Sequence, residues 1–136
     1  MTDVSPCYCY QALSQQMGTI LVECTQRNLD DLKAAEILDV FLNTPGVSPV
    51  SAVYLSHNQL TRVPKQISQF HPQLQTVFLD ENEITAVDLA DTFHFTSATG
   101  QSYLNLFGNQ LTTISAGAFK GDDLTMYLKY VVRVDN

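Results

Sequence analysis

Few side chains are available to do chemistry. His57, His71 and His94 are the only histidines of the 136-residue chain, and no nucleophile or acid stands at a spacing that pairs with any of them. General-base work needs such a partner within hydrogen-bond reach, so each histidine reads as a surface residue. Asp80-Glu81 and Asp122-Asp123 are neighbouring acids, the second pair in a turn after Gly121. Glycoside hydrolysis needs two carboxylates held across a cleft, which neither pair supplies. No phosphate loop, nucleophile elbow or metal-binding helix motif occurs. The chain is expected to be no enzyme and to use no metal or cofactor.

The thiols are the other reactive groups. Cys7, Cys9 and Cys24 all lie near the start. Joined to a distant histidine they match no recognised zinc spacing. They suit an oxidising compartment, where an odd cysteine invites an intermolecular bond; three reduced, buried thiols in a cytosolic protein are the alternative.

Composition bounds the elements that must position these groups. With 45% apolar residues the chain has material for one continuous core, and its length fits a single domain. Fourteen acids against seven bases give a net charge of −7, with no basic run, so nucleic acid is not an expected partner. Only 15% of residues are charged, against roughly 25% in an average soluble domain, which suits an extracellular or self-associating protein. No apolar stretch approaches the ~20 residues that span a bilayer. The start, Met1-Thr2-Asp3-Val4-Ser5-Pro6, lacks the apolar core of a signal peptide. With the cysteines arguing for secretion, a leader is expected to have been removed and Met1 to stand in its place.

Self-similarity is the most informative feature. Three segments align: Val53-Tyr54-Leu55-Ser56-His57-Asn58-Gln59-Leu60-Thr61-Arg62-Val63, Val77-Phe78-Leu79-Asp80-Glu81-Asn82-Glu83-Ile84-Thr85-Ala86-Val87, and Leu104-Asn105-Leu106-Phe107-Gly108-Asn109-Gln110-Leu111-Thr112-Thr113-Ile114. Each reads apolar-x-apolar-x-x-Asn-x-apolar-x-x-apolar. A degenerate first copy from Val22 through Cys24, Leu29 and Leu32 has Arg27 in place of Asn, and a fifth starts at Leu128-x-Tyr130. From Cys24 through Leu55, Leu79 and Leu106 to Tyr130 the steps are 31, 24, 27 and 24 residues. Two apolar residues separated by one share a strand face, and stacked coils would align Asn58, Asn82 and Asn109 so that their amides satisfy backbone groups at each turn.

This pattern resembles the leucine-rich repeat family, from Val22 onward. The resemblance implies an α/β fold: a right-handed solenoid of four to five coils with a parallel sheet on the concave face and helices or loops on the convex face. The whole chain, 1–136, is then one domain, with a cysteine cap and first strand in 1–28, repeats in 29–126 and a terminal strand in 127–136. Extracellular relatives carry a four-cysteine cap, and Asp3 stands here where the first cysteine would be. Carry-over joins Cys7 to Cys24 and leaves Cys9 outside the pair. Such a bridge closes a loop of about 18 residues and supplies roughly 3 kcal/mol to a coil that lacks a neighbour on one side.

Between the repeats, the run from Asn28 to Leu42 reads as a helix, capped by Asn28, with apolar positions 32, 35, 38, 41 and 42, and stopped by Thr44-Pro45-Gly46. Phe95 and Phe119 lie eleven residues before Leu106 and Tyr130 and are expected to stack as an aromatic spine. Tyr127 to Val134 has strand character. Its outer edge, guarded by Lys129 and Arg133, is a place for a second copy to pair.

What remains is a surface. Residues between the buried ones of each strand form columns of Glu23, Tyr54, Phe78 and Asn105, and of Thr25, Ser56, Asp80 and Phe107, flanked by Gln26, His57, Glu81 and Gly108. A curved sheet offers no deep cleft for catalysis. Its aromatics suit a protein interface, and Asp80 and Glu81 suit a partner with basic groups. The expected function is recognition of a protein partner through Tyr54, Ser56, His57, Phe78, Asp80, Glu81, Asn105 and Phe107. Glycans are a further ligand class, because aromatic faces also stack on sugars. The alternative is self-assembly into dimers or fibres through the terminal edge at Tyr130, Val132 and Val134, or through Cys9.

Overall fold

The computed structural model of the protein describes residues 5–11, 18–70, 73–87, 93–94, 102–115, 119–120 and 124–127. Two short strands, β1 (Tyr8–Gln11) and β2 (Ile20–Glu23), pair antiparallel at the start. Helix α1 (Asp31–Asn43) and strand β3 (Val50–Tyr54) follow, then a 3-10 helix over Lys65–Phe70 and β4 (Thr76–Phe78). Beyond these lie β5 (Ala86–Val87), β6 (Phe93–His94), β7 (Ser102–Asn105), β8 (Thr113–Ile114), β9 (Phe119–Lys120) and β10 (Leu124–Tyr127). Among the described residues the fold is mixed α/β, with a mostly parallel sheet and two helices, one of them 3-10.

Among the described residues, six strands form one sheet in the order β1-β2-β3-β4-β7-β10, and every pairing after β1-β2 is parallel. Parallel neighbours need a crossover, and the described parts of the crossovers bury residues in the same core as the sheet. Early in the chain the back is helical, with α1 packed on the 3-10 helix and the Gln66 amide donating to Asp39 at 3.0 Å. Later it thins to two-stranded ribbons, β5 with β8 and β6 with β9.

The core fills the space between. Val22, Cys24, Val53, Leu55, Val77, Leu79, Leu104 and Leu106 point inward from the sheet with no solvent exposure, and Leu29, Leu60, Ile84 and Leu111 meet them from the first turn of each coil. The alternation of the repeats is thus the alternation of the strands.

The aligned asparagines do what their spacing foretold. Asn58 donates to the carbonyls of Cys24, Leu55 and Ser56 and accepts from the amides of Arg27 and Leu29. Asn82 donates to Leu55, Leu79 and Asp80 and accepts from Leu60. Asn109 donates to Leu79 and Leu106 and accepts from Ile84. Each amide ties its own turn to the coil before it and leaves no buried polar atom of its own unmatched.

Three expectations are corrected. The helix is capped by Asp30, whose carboxylate accepts from Lys33 N at 2.8 Å, and not by Asn28, whose φ of 58° is left-handed. It therefore buries Ala34, Ile37, Leu38 and Phe41 and leaves Leu32 outside at 69% exposure. The last described strand also pairs two residues earlier than expected. Leu104 pairs with Met126 and not with Leu128, and Phe93 pairs with Phe119 in the β6-β9 register. A shift of two preserves which face each side chain takes, so alternation alone could not choose between the frames. The last described strand is consequently Leu124–Tyr127, and the spine residue Phe95 lies outside the described residues.

Candidate functional site

The sheet has one face against the core and one facing away from it. Register sets the rows of the outward face, because laterally paired residues in neighbouring strands share a side. One row runs Tyr8, Glu23, Tyr54, Phe78, Asn105, and the next runs Tyr10, Leu21, Ala52, Thr76, Tyr103. A third lies just past the strand ends, where the ladder continues through Gln26 N to Ser56 O, His57 N to Asp80 O and Glu81 N to Phe107 O, at 2.9 to 3.0 Å.

The first expected column, Glu23, Tyr54, Phe78 and Asn105, is therefore brought together residue by residue. Tyr54 and Phe78 stack with ring centroids 5.0 Å apart and rings tilted by 49°. Burial, helped by the negative charge of Glu23, raises the Tyr54 pKa above its ordinary 10.0. Asn105 accepts a hydrogen bond from Phe107 N, and Glu23 accepts one in the same way from Thr25 N. These carboxyl and amide groups finish the strand ends as well as lining the face.

In the third row Ser56 is buried and donates its hydroxyl to Asp80, while Phe107 is 39% exposed. His57 and Glu81 are exposed and occupy the left-handed turn position, with φ of 58° and 57°; the equivalent residue in the next coil is Gly108, at 75°. A Cβ at Gly108 would meet the Glu81 carboxylate, which folds across that glycine. Among the described residues, no carboxylate forms an ion pair with His57, and no three His, Cys, Asp or Glu side chains are grouped to hold a metal ion. His71, Asp122 and Asp123 lie outside the described residues, and His94 is placed only as part of β6.

Reading the sequence overlooked three aromatics of this face. Tyr8 and Tyr10 are 54% and 53% exposed, and Tyr103 is exposed as well. The signal was present: Tyr8-Cys9-Tyr10 alternates with period two, and Tyr103 stands two residues before Asn105. Pairing of β1 with β2 in the register Tyr8 to Glu23 and Tyr10 to Leu21 turns both tyrosines outward. The same pairing turns Cys9 inward, where it packs half-buried against the core. Cys7 and Cys24 form a disulfide with Cα atoms 4.6 Å apart, both sulfur-bearing residues buried. At the same edge the Arg27 guanidinium sits 5.0 Å from the Tyr8 ring centroid.

Tyr130, Val132 and Val134 lie outside the described residues, so only β10, the last strand in the sheet order, speaks for the terminal edge. No helix among the described residues is long and apolar enough to cross a membrane. Compared with known proteins, the chain matches no family model, no curated protein and no solved structure.

Proposed function

We propose that the chain is a short leucine-rich repeat solenoid, secreted, that recognises a protein partner on the concave, outward face of its sheet and catalyses nothing. One observation carries this reading: six aromatics, Tyr8, Tyr10, Tyr54, Phe78, Tyr103 and Phe107, share that face without being taken into the core. Large rigid rings bury much area for little rotamer entropy, which is why interfaces favour them. The Asn58, Asn82 and Asn109 ladder supports the repeat reading, and the Cys7–Cys24 bridge is compatible with an extracellular setting.

A random-peptide display selection on the wild-type protein tests the reading. The selected peptides should bind the Tyr54→Ser/Phe78→Ser variant at least tenfold more weakly, with circular dichroism confirming that the variant is folded. The more exposed pair Tyr103→Ser/Phe107→Ser serves as the second variant. Peptides that bind both variants as they bind the wild type would overturn it.

The sheet order favours a second reading, self-association through an edge strand, because β1 and β10 end the sheet among the described residues. Light scattering after size exclusion decides it. A mass of one chain removes this reading, and a reductant-resistant dimer supports it.

A further inference from the structure

We propose that the face takes an extended, arginine-bearing segment of its partner, each guanidinium stacking on an aromatic ring and pairing with a carboxylate beside it. The inference rests on the recognition reading above and names the chemistry of the partner. Charge complementarity carries it. Of the residues that register and the strand-end ladder put on the face, Glu23, Asp80 and Glu81 are acidic, none is lysine or arginine, and His57 is the one histidine. The acids are interleaved with rings: Glu23 is beside Tyr54 in its row, and Asp80 and Glu81 follow Phe78 and neighbour Phe107.

Among the described residues the stacking half of this chemistry is already present. At the β1 edge, where the face meets the chain's own Arg27, the guanidinium lies over Tyr8 at 5.0 Å. Arginine fits such sites better than lysine, because its planar fork stacks on a ring while its edge pairs with a carboxylate. The face has the width for an extended strand of ligand. Five strand intervals of ~4.8 Å give about 24 Å, the length of roughly seven extended residues.

The test uses labelled octapeptides of alternating Arg and Thr, with acetylated and amidated ends, and matched peptides carrying Lys, citrulline or Glu in place of Arg. Binding to the full chain is read by fluorescence anisotropy at 50 and 200 mM salt. The Arg peptide should bind several-fold tighter than the Lys peptide and at least tenfold tighter than the citrulline and Glu peptides. Its affinity should fall at least tenfold in Glu23→Gln/Asp80→Asn/Glu81→Gln and also in Tyr54→Ser/Phe78→Ser, and several-fold at the higher salt. Absence of binding, equal binding of the citrulline peptide, or indifference to either variant would overturn the proposal. The display selection separates the two failures. Face-dependent peptides without cations leave the recognition reading standing and remove this one, whereas a selection without face-dependent peptides removes both.

Discussion

On the inward face of the sheet, Val22, Val53, Val77 and Leu104 make one row and Cys24, Leu55, Leu79 and Leu106 the next, all without exposure. On the outward face of the same strands, Glu23, Tyr54, Phe78 and Asn105 stand between those rows, and large aromatics remain in reach of solvent. The backbone and register are shared, so only burial distinguishes the faces. Burial explains the inward residues completely, since an aliphatic side chain removed from water stabilises the fold by about 1.5–3 kcal/mol. It does not explain the outward rings, and that asymmetry is the basis of the recognition we propose.

The contrast is broken most severely at its seam, the asparagine ladder. Asn82→Ala would orphan the buried amide of Leu60 and remove one of the hydrogen bonds to each of the carbonyls of Leu55, Leu79 and Asp80, which keep Asn58, Asn109 and His57 N as donors, and is expected to lower stability by about 4 kcal/mol. Urea unfolding should show the midpoint fall without a matching change at exposed neighbours such as Glu83→Ala. Next comes the cap. Cys7→Ser removes the bridge to Cys24 and should cost about 3 kcal/mol, read by the same titration.

Smaller effects sharpen the contrast. Phe78 and Leu79 are neighbours in sequence that face opposite ways, one half-buried and one wholly buried. Leu79→Ala should cost about 3 kcal/mol through cavity formation. Phe78→Ser should cost about 1 kcal/mol, the scale of an exposed cross-strand pair.

The smallest effect is electrostatic. Burial first, and Glu23 second, hold the Tyr54 pKa above its ordinary 10.0, so the folded state grips that proton more tightly than the unfolded chain does. The stabilisation is fully present below pH 10 and is lost as pH rises past the ordinary value toward the folded one. Glu23→Gln should move the tyrosinate absorbance midpoint of Tyr54 downward, toward 10.0, while leaving it above that value.

Much of this was legible because certain residues have few uses. An asparagine three places after an apolar pair, repeated at 58, 82 and 109, has one economical role, and the coil-to-coil hydrogen bonds fill it. The column Glu23, Tyr54, Phe78 and Asn105 followed from parity and repeat spacing alone. Where parity is silent, the reading slipped. The last strand pairs two residues earlier than the repeat frame, a shift that alternation does not register, and Leu32 left the apolar set once Asp30, not Asn28, began the helix. Tyr8 and Tyr10 were hidden for a different reason: their place on the face depends on an antiparallel pairing with β2 that lies outside the repeat pattern.

The most direct measurement compares Phe78→Ser with Leu79→Ala in both unfolding and binding of the display-selected peptides. Phe78→Ser is expected to lose at least tenfold in affinity for about a third of the stability cost of Leu79→Ala, whose folded fraction should bind as the wild type does. Equal destabilisation by the two variants, with peptide affinity unchanged in Phe78→Ser, would show that the outward rings serve the fold and contradict the proposed recognition.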